Sequence, residues 1–496
     1  MRSTPLRFSP APWQLTALDA LAGGAAVSLA MVLRFVDEGS IPGTYVQRLL
    51  PWIVLAAAIE IAAGEVMNRL RKPGSVLARR PVAPFVVATL VALLVVLVVN
   101  DVVLREPWRL PHFVAIVGPV LAGTASAALR IAAARSIDFE ELLTRPVVRL
   151  DLERCAPALA GKRVLITGGA GSIGAELARQ VLAVGPASVL AVDMNETGLY
   201  ELQGDLAAAG LAVRTCIADV TDTRRMRELF LRERPGVVFH AAAYKHVPLV
   251  EANPEQGFAT NVLGTRSVCE AATAAGAERV VLISTDKAVN PSSFMGLTKR
   301  VAELMVMAVG QSAAPGTVLS AVRFGNVLGS RGSVAPTLLR QIDAGGPITI
   351  THRDAQRFFM TVSEAASLVL LAAAIGTPGG LFVLDMGDEV RIQQLAERLV
   401  RLKGLRPGRD VAFEYVGLRP GEKLREELHA ADERLLASDH PGVWRVEPSY
   451  RVDAAALIRG VQEIETRRRD GELDAADYPG LLRALIDRAV RQPAVL

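Results

Sequence analysis

The sequence predicts an α/β protein built on a doubly wound parallel sheet, preceded by an N-terminal region of four transmembrane helices. Three observations lead there. Apolar residues make up 51% of the 496 positions, a little above the usual share, and the excess is concentrated before about residue 133. Residues 162–174 read KRVLITGGAGSIG and run into AELARQVLAVG, which is a β-branched run, a glycine turn and a helical pattern in succession. Further strand-like runs, SVLAVD, VRTCIADVTD, GVVFHAAA and RVVLIST, alternate with helical stretches, as a doubly wound parallel sheet requires.

Taken in order, the apolar runs cover residues 13–33, 49–66, 85–104 and 113–133, each near the ~20 residues that span a hydrocarbon core. The loop 67–84 carries Arg69, Arg71, Lys72, Arg79 and Arg80, so the positive-inside rule places it and both termini in the cytoplasm. The first run has no small-residue cleavage site followed by a mature domain, and more apolar runs follow, so no cleaved signal peptide is expected. Asp19, Glu60 and Glu65 lie near run ends and read as interfacial. Three scattered cysteines without a CxxC or a histidine cluster exclude a disulfide framework and a metal site. The net charge of +4 comes largely from residues flanking apolar runs, and no nucleic-acid partner is expected.

The strand, glycine turn and helix place Gly168, Gly171, Ser172, Ile173 and Gly174 at a dinucleotide diphosphate, where backbone N–H groups and the helix terminus attract negative charge. Asp193 ends the next strand, about 20 residues on, where a carboxylate accepts hydrogen bonds from ribose hydroxyls. It would repel a 2′-phosphate, which favours NAD over NADP. Asp219 and Val220 follow the third strand at the adenine, and Ala241 follows the fourth.

The stretch Ser284 to Lys299 reads STDKAVNPSSFMGLTK. A reductase-type site has a tyrosine four residues before its lysine, because the ammonium lowers the phenol's pKa. Met295 stands there and has no proton to exchange, so it reads as filler. Thr285, Asp286 and Lys287 follow a strand end, where such folds keep their chemistry. Lys287 acting as a base would need a depressed pKa.

TGGAGSIG, HAAAYKHVPLVE, STDKAVNPSSFMGLTKR, RFGNVLGSRGSV, RFFMTVSEA and GLRPGEKLREEL, in this order and spacing, resemble the membrane-bound UDP-N-acetylglucosamine 4,6-dehydratases of bacterial polysaccharide and glycan biosynthesis, within the extended short-chain dehydrogenase/reductase superfamily. The resemblance implies a Rossmann-type sheet with a smaller C-terminal substrate-binding lobe. The division expected is a transmembrane region 1–134, a linker 135–160, an NAD-binding dehydratase domain 161–445 and a helical extension 446–496. It further implies a multi-pass protein of the bacterial inner membrane, in contact with its lipid, with a cytoplasmic catalytic domain and a homo-oligomeric state.

By the same resemblance Asp286 is the acid at the sugar C6 oxygen and Lys287 the base at C5. The residues themselves, rather than the resemblance, make Thr285 the group that orients the C4 hydroxyl and Asp286 the nearest group to accept its proton. Lys299 holds the nicotinamide ribose. Lys245, Asn261, Asn326, Arg357 and Arg419 are expected at the UDP-sugar, with His246 close by. A C4 or C5 epimerase and a non-catalytic nucleotide-sensing scaffold are the alternatives. The linker is too short for the extra nucleotide-binding-like domain of long members, whereas methionine at position 295 does occur among the large membrane-bound ones.

Overall fold

The computed structural model describes residues 139–491 except Thr144 and 313–315, together with six positions between 28 and 58. Its sheet has nine strands: β1 (Arg163–Thr167), β2 (Ser188–Asp193), β3 (Arg214–Ile217), β4 (Val237–His240), β5 (Arg279–Ile283), β6 (Val318–Arg323), β7 (Gly380–Leu384), β8 (Glu433–Ala437) and β9 (Val443–Pro448). They lie in the order β3-β2-β1-β4-β5-β6-β7-β9-β8. The first seven in that order run parallel, and β9 and β8 close the edge antiparallel.

Strands such as RVLIT and VVFH are apolar throughout because helices cover both faces of the sheet. Alternate residues divide between the two layers. Ile166, Phe239, Val281 and Val322 pack with Leu177 and Leu368 on one face, while Leu165, Val238, Leu282 and Ala321 pack with Leu229, Phe230 and Val306 on the other. Chain order reverses between β1 and β4, and a crevice opens beyond the carboxyl ends of the strands at such a point. A smaller lobe with its own core around Leu338, Leu339, Leu395 and Leu399 supplies part of the crevice wall. The helices Ala454–Arg469 and Asp477–Ala489 pack on the helix Phe294–Ser312 through Leu457, Val461, Leu482 and Leu485.

Polar pins hold the floor of the crevice. His240 lies in register with Thr167, with Nδ1 2.7 Å from the Thr167 hydroxyl and Nε2 3.0 Å from that of Thr265. Thr265 donates to the Asn261 carbonyl, so its oxygen accepts from Nε2–H, and Nδ1 accepts from Thr167. Burial, with Lys299 nearby, pushes the His240 pKa down to about 3, which keeps the ring neutral.

Beneath the ends of β5 and β6 lies a buried ion network. Arg323 donates to both oxygens of Glu303 and of Glu433 at 2.6–3.0 Å. Arg300 reaches the same two carboxylates and the Tyr450 hydroxyl. Ser284 donates to Glu303 at 2.6 Å, and Glu433 accepts the Ala430 N–H.

The predicted transmembrane region requires correction. Among the described residues no helix is long and apolar enough to cross a membrane. The four apolar runs lie almost wholly outside the described residues. Inner-membrane placement, drawn from those runs and from the family resemblance, is withdrawn with them.

The network generates a stability prediction. Burial alone raises the Glu433 pKa, but hydrogen bonds from Arg323 and the charges of Arg323 and Arg300 outweigh it and bring it to about 2. Glu433→Gln leaves buried arginine charge uncompensated and should cost about 3–5 kcal/mol near neutral pH. A carboxylate with a depressed folded pKa stabilises above its unfolded pKa, and that contribution is lost as pH falls through the folded value. The gap between native and variant in denaturant titrations should therefore narrow as pH falls from 4.5 toward 2. A gap that is absent at pH 7, or that does not change with pH, contradicts this reading.

Candidate active site

The crevice holds a cavity of about 600 Å³. On one side are Gly168, Gly171, Ser172, Ile173, Gly174 and Ala241. Gly168 has φ +69°, and a Cβ there would lie 2.5 Å from the Ala241 backbone; one at Gly174 would lie 2.1 Å from the Gly168 carbonyl oxygen. The turn is thus as tight as its glycines allow. Gly171 caps the helix Ser172–Val184 without a side-chain hydrogen bond, which leaves first-turn N–H groups facing the cavity.

Asp193, at the end of β2, is fixed by N–H groups of Ala170 at 3.0 Å and Asn195 at 2.9 Å. Asp219 is exposed and accepts the Thr221 N–H at 2.9 Å. Val220 is buried beside Gly264. These three stand along the sheet edge beyond the cavity, not in its lining. A glycine turn that excludes side chains, an uncapped helix terminus and a carboxylate at the end of β2 fit NAD.

The opposite wall carries the ionisable groups. Thr285 caps a turn of 3₁₀ helix, Asp286–Ala288, which aims adjacent side chains inward. The Thr285 hydroxyl donates to Asp286 Oδ1 at 2.8 Å, and Lys287 Nζ donates to the same oxygen at 3.0 Å. Asp286 is fully buried, and its Oδ2 has no hydrogen-bond partner. Gly325 makes room for it: a Cβ there would stand 3.1 Å from Oδ2. Asp286 is not itself in the cavity lining, so Thr285, which is, connects it to the cavity.

Lys287 corrects an expectation. Burial pushes its pKa down, but the charges of Asp286 and Glu426 and the Asp286 hydrogen bond outweigh burial and leave it above the ordinary lysine value. Glu426 Oε1 is 3.4 Å from Nζ. Sequence reasoning missed Glu426, although its segment GLRPGEKLREEL stood out; Glu426 and Glu427 are alike in sequence, and only Glu426 is buried. Lys299 behaves otherwise. Burial, against an opposing pull from Glu303, brings its pKa down to about 8, and Nζ donates to the Ile283 carbonyl at 2.7 Å. Met295 lines the cavity and is otherwise packed among Phe294, Leu297 and Phe258.

The expected substrate residues divide into two groups. Lys245, Asn326, Arg357 and Arg419 line the cavity with His246. Arg357, however, spends its guanidinium on the carbonyls of Gln356, Lys423 and Leu424 and on Glu422, so it clamps the segment 422–426. Asn261 is corrected. It is fully buried, accepts the Tyr244 N–H and donates to the Tyr244 carbonyl and the Thr298 hydroxyl. It therefore shapes the loop that carries Lys245 and stands outside the cavity lining.

Comparison with known proteins gives the chain's family. Probable polysaccharide biosynthesis protein EpsC of Bacillus subtilis (strain 168) is 44% identical over 388 residues, covering 78% of this chain and 62% of EpsC; the chain thus spans less than two thirds of that relative. UDP-glucose 4-epimerase of Rickettsia prowazekii (strain Madrid E) is 34% identical, over 58% of this chain and 82% of its own. The X-ray structure of Pen from Bacillus thuringiensis superposes with a TM-score of 0.55 at 34% identity, covering 58% of this chain and 88% of Pen. A family model, polysaccharide biosynthesis protein, matches residues 164–448, and the chain belongs to that family, within the nucleotide-sugar epimerase and dehydratase type of the extended short-chain dehydrogenase/reductases.

Proposed function

We propose that the chain catalyses NAD-dependent 4,6-dehydration of a UDP-N-acetylhexosamine, with UDP-N-acetylglucosamine as the substrate. The observation that carries the reading is the joined set of Thr285 and Lys287 on the cavity wall with Asp286 buried behind them, and Met295 where a phenol would otherwise act. Bound NAD supplies the acceptor for hydrogen from sugar C4 and its return at C6. The chain's own residues move protons.

The Thr285 hydroxyl, already donating to Asp286 Oδ1, passes the C4 hydroxyl proton inward to that carboxylate. The resulting 4-keto group acidifies the C5 hydrogen. Lys287 removes it as a proton, and Asp286 returns its proton through the Thr285 hydroxyl to the departing C6 oxygen, which leaves as water. Each group thus finishes the step ready for its reverse role. Lys299 adds positive field beside the nicotinamide side of the cavity. Arg419 and Lys245 face the cavity and suit a diphosphate.

The second reading is C4 epimerisation, which the similarity to a UDP-glucose 4-epimerase favours. Epimerisation needs a proton acceptor at C4 but neither an acid at C6 nor a base at C5. The Asp286–Lys287 pair favours dehydration. Mass analysis after incubation with UDP-N-acetylglucosamine separates the readings: a product lighter by one water is expected, and unchanged mass with inverted stereochemistry overturns the proposal.

Variants test the roles. Lys287→Ala should lose about 10²–10⁴-fold in water release yet still accumulate reduced nicotinamide absorbance, because oxidation at C4 precedes its step. Asp286→Asn should show neither. Accumulation in Asp286→Asn would mean that another group takes the C4 hydroxyl proton. Met295→Leu conserves volume and should keep most activity; a loss as deep as that of Lys287→Ala would show that the sulfur takes part.

A further inference from the structure

We infer that Glu426 is a positioning residue that takes the ammonium proton of Lys287, so that Lys287 enters the elimination as a free amine. The inference rests on the dehydration proposed above.

Lys287 Nζ carries three protons, and three acceptors surround it: Asp286 Oδ1 at 3.0 Å, Glu426 Oε1 at 3.4 Å and Asn326 Oδ1 at 3.5 Å. A nitrogen engaged in this way offers no lone pair to C5. The carboxylates also hold the group protonated, overcoming the opposing effects of burial and of Arg357. One of the three acceptors must therefore receive a proton before Lys287 can act.

The amide oxygen of Asn326 is too weak a base. Asp286 is committed, since it receives the C4 hydroxyl proton through Thr285 and must return it at C6. Glu426 remains. It is 5% exposed, lines the cavity, and its Oε2 is buried with no hydrogen-bond partner. Protonating that oxygen sacrifices no existing bond. Arg357 Nε stands 3.7 Å from Oε1, but its other nitrogens are held by Glu422 and backbone carbonyls. Lys299, another cation on the cavity, is turned to the Ile283 carbonyl.

The step balances within the pair. An N–H bond of Lys287 breaks and an O–H bond forms on Glu426, which converts an ion pair into a neutral amine and acid. Bound sugar excludes water, and a dry site favours the neutral pair. Lys287 then takes the C5 proton; the C5–H electrons form the C5–C6 double bond as the C6–O bond breaks, and the oxygen leaves with the Asp286 proton. Lys287 later returns its proton to C5, and Glu426 returns its own to Lys287 when product leaves.

A proton moved inside a pair does not depend on bulk pH. Turnover of native enzyme should therefore be flat with pH through the neutral range. In Glu426→Gln the Lys287 proton must go to solvent. That variant should lose about 10²-fold in kcat at neutral pH with little change in KM, and its rate should rise about tenfold per pH unit toward the native value. The direction is diagnostic: if Glu426 only held Lys287 charged, removing its charge would lower the Lys287 pKa, and the variant would match or exceed native enzyme at neutral pH. That result, parallel profiles, or a loss confined to KM would overturn the inference. Native enzyme gives a test that is independent of variant folding, since a native rate that itself climbs tenfold per unit across neutral pH also overturns it. Failure of native enzyme to release water overturns the dehydration reading instead, and this inference with it.

Discussion

The buried network of Arg323, Glu303, Glu433 and Arg300 is the constraint on which the site depends. Burying such charges is costly unless every partner is present, and here each carboxylate receives several donors. Its members come from the segments that carry the chemistry. Ser284, bonded to Glu303, precedes the Thr285–Lys287 turn. Glu303 lies one helical turn beyond Lys299. Glu433 binds the backbone at Ala430, four residues past Glu426. One electrostatic lock thus sets β5, the Phe294–Ser312 helix and the segment bearing Glu426 at fixed distances, and Lys287 falls among three acceptors as a result.

The cofactor half of this architecture was legible in the sequence because its signals are local. Glycines 168, 171 and 174, the apolar strand before them and Asp193 after them lie within one β-α-β unit, and short-range geometry dictates their spacing. The Thr285–Lys287 turn was legible for the same reason. What escaped was long-range. Glu426 meets Lys287 only after the smaller lobe folds over the crevice, and nothing in REEL distinguishes the buried glutamate from its exposed neighbour. Arg357 and Asn261 carry side chains suited to a ligand, yet tertiary neighbours claim their hydrogen bonds first. A base at Lys287 called for a depressed pKa, but the charge of Asp286, that of Glu426 and the Asp286 hydrogen bond together outweigh burial, and of these only Glu426 comes from a distant segment.

The expectation of four membrane helices came from the hydropathy of four apolar runs, with orientation from loop charge and support from the family resemblance. No described helix meets the length and apolarity of a span. The functional reading does not depend on it, because every residue of the acid–base cluster and the cofactor turn belongs to the sheet, its carboxyl-end loops or the small lobe.

The central claim is that acid–base work has moved from the tyrosine position to Thr285, Asp286 and Lys287, and that it serves elimination across C5 and C6. Reaction of UDP-N-acetylglucosamine deuterated at C4, followed by NMR of the product sugar, tests it most directly. The expected product carries the label in a new C6 methyl group, with solvent hydrogen at C5. Label that remains at C4 beside an intact C6 hydroxymethyl group would contradict it.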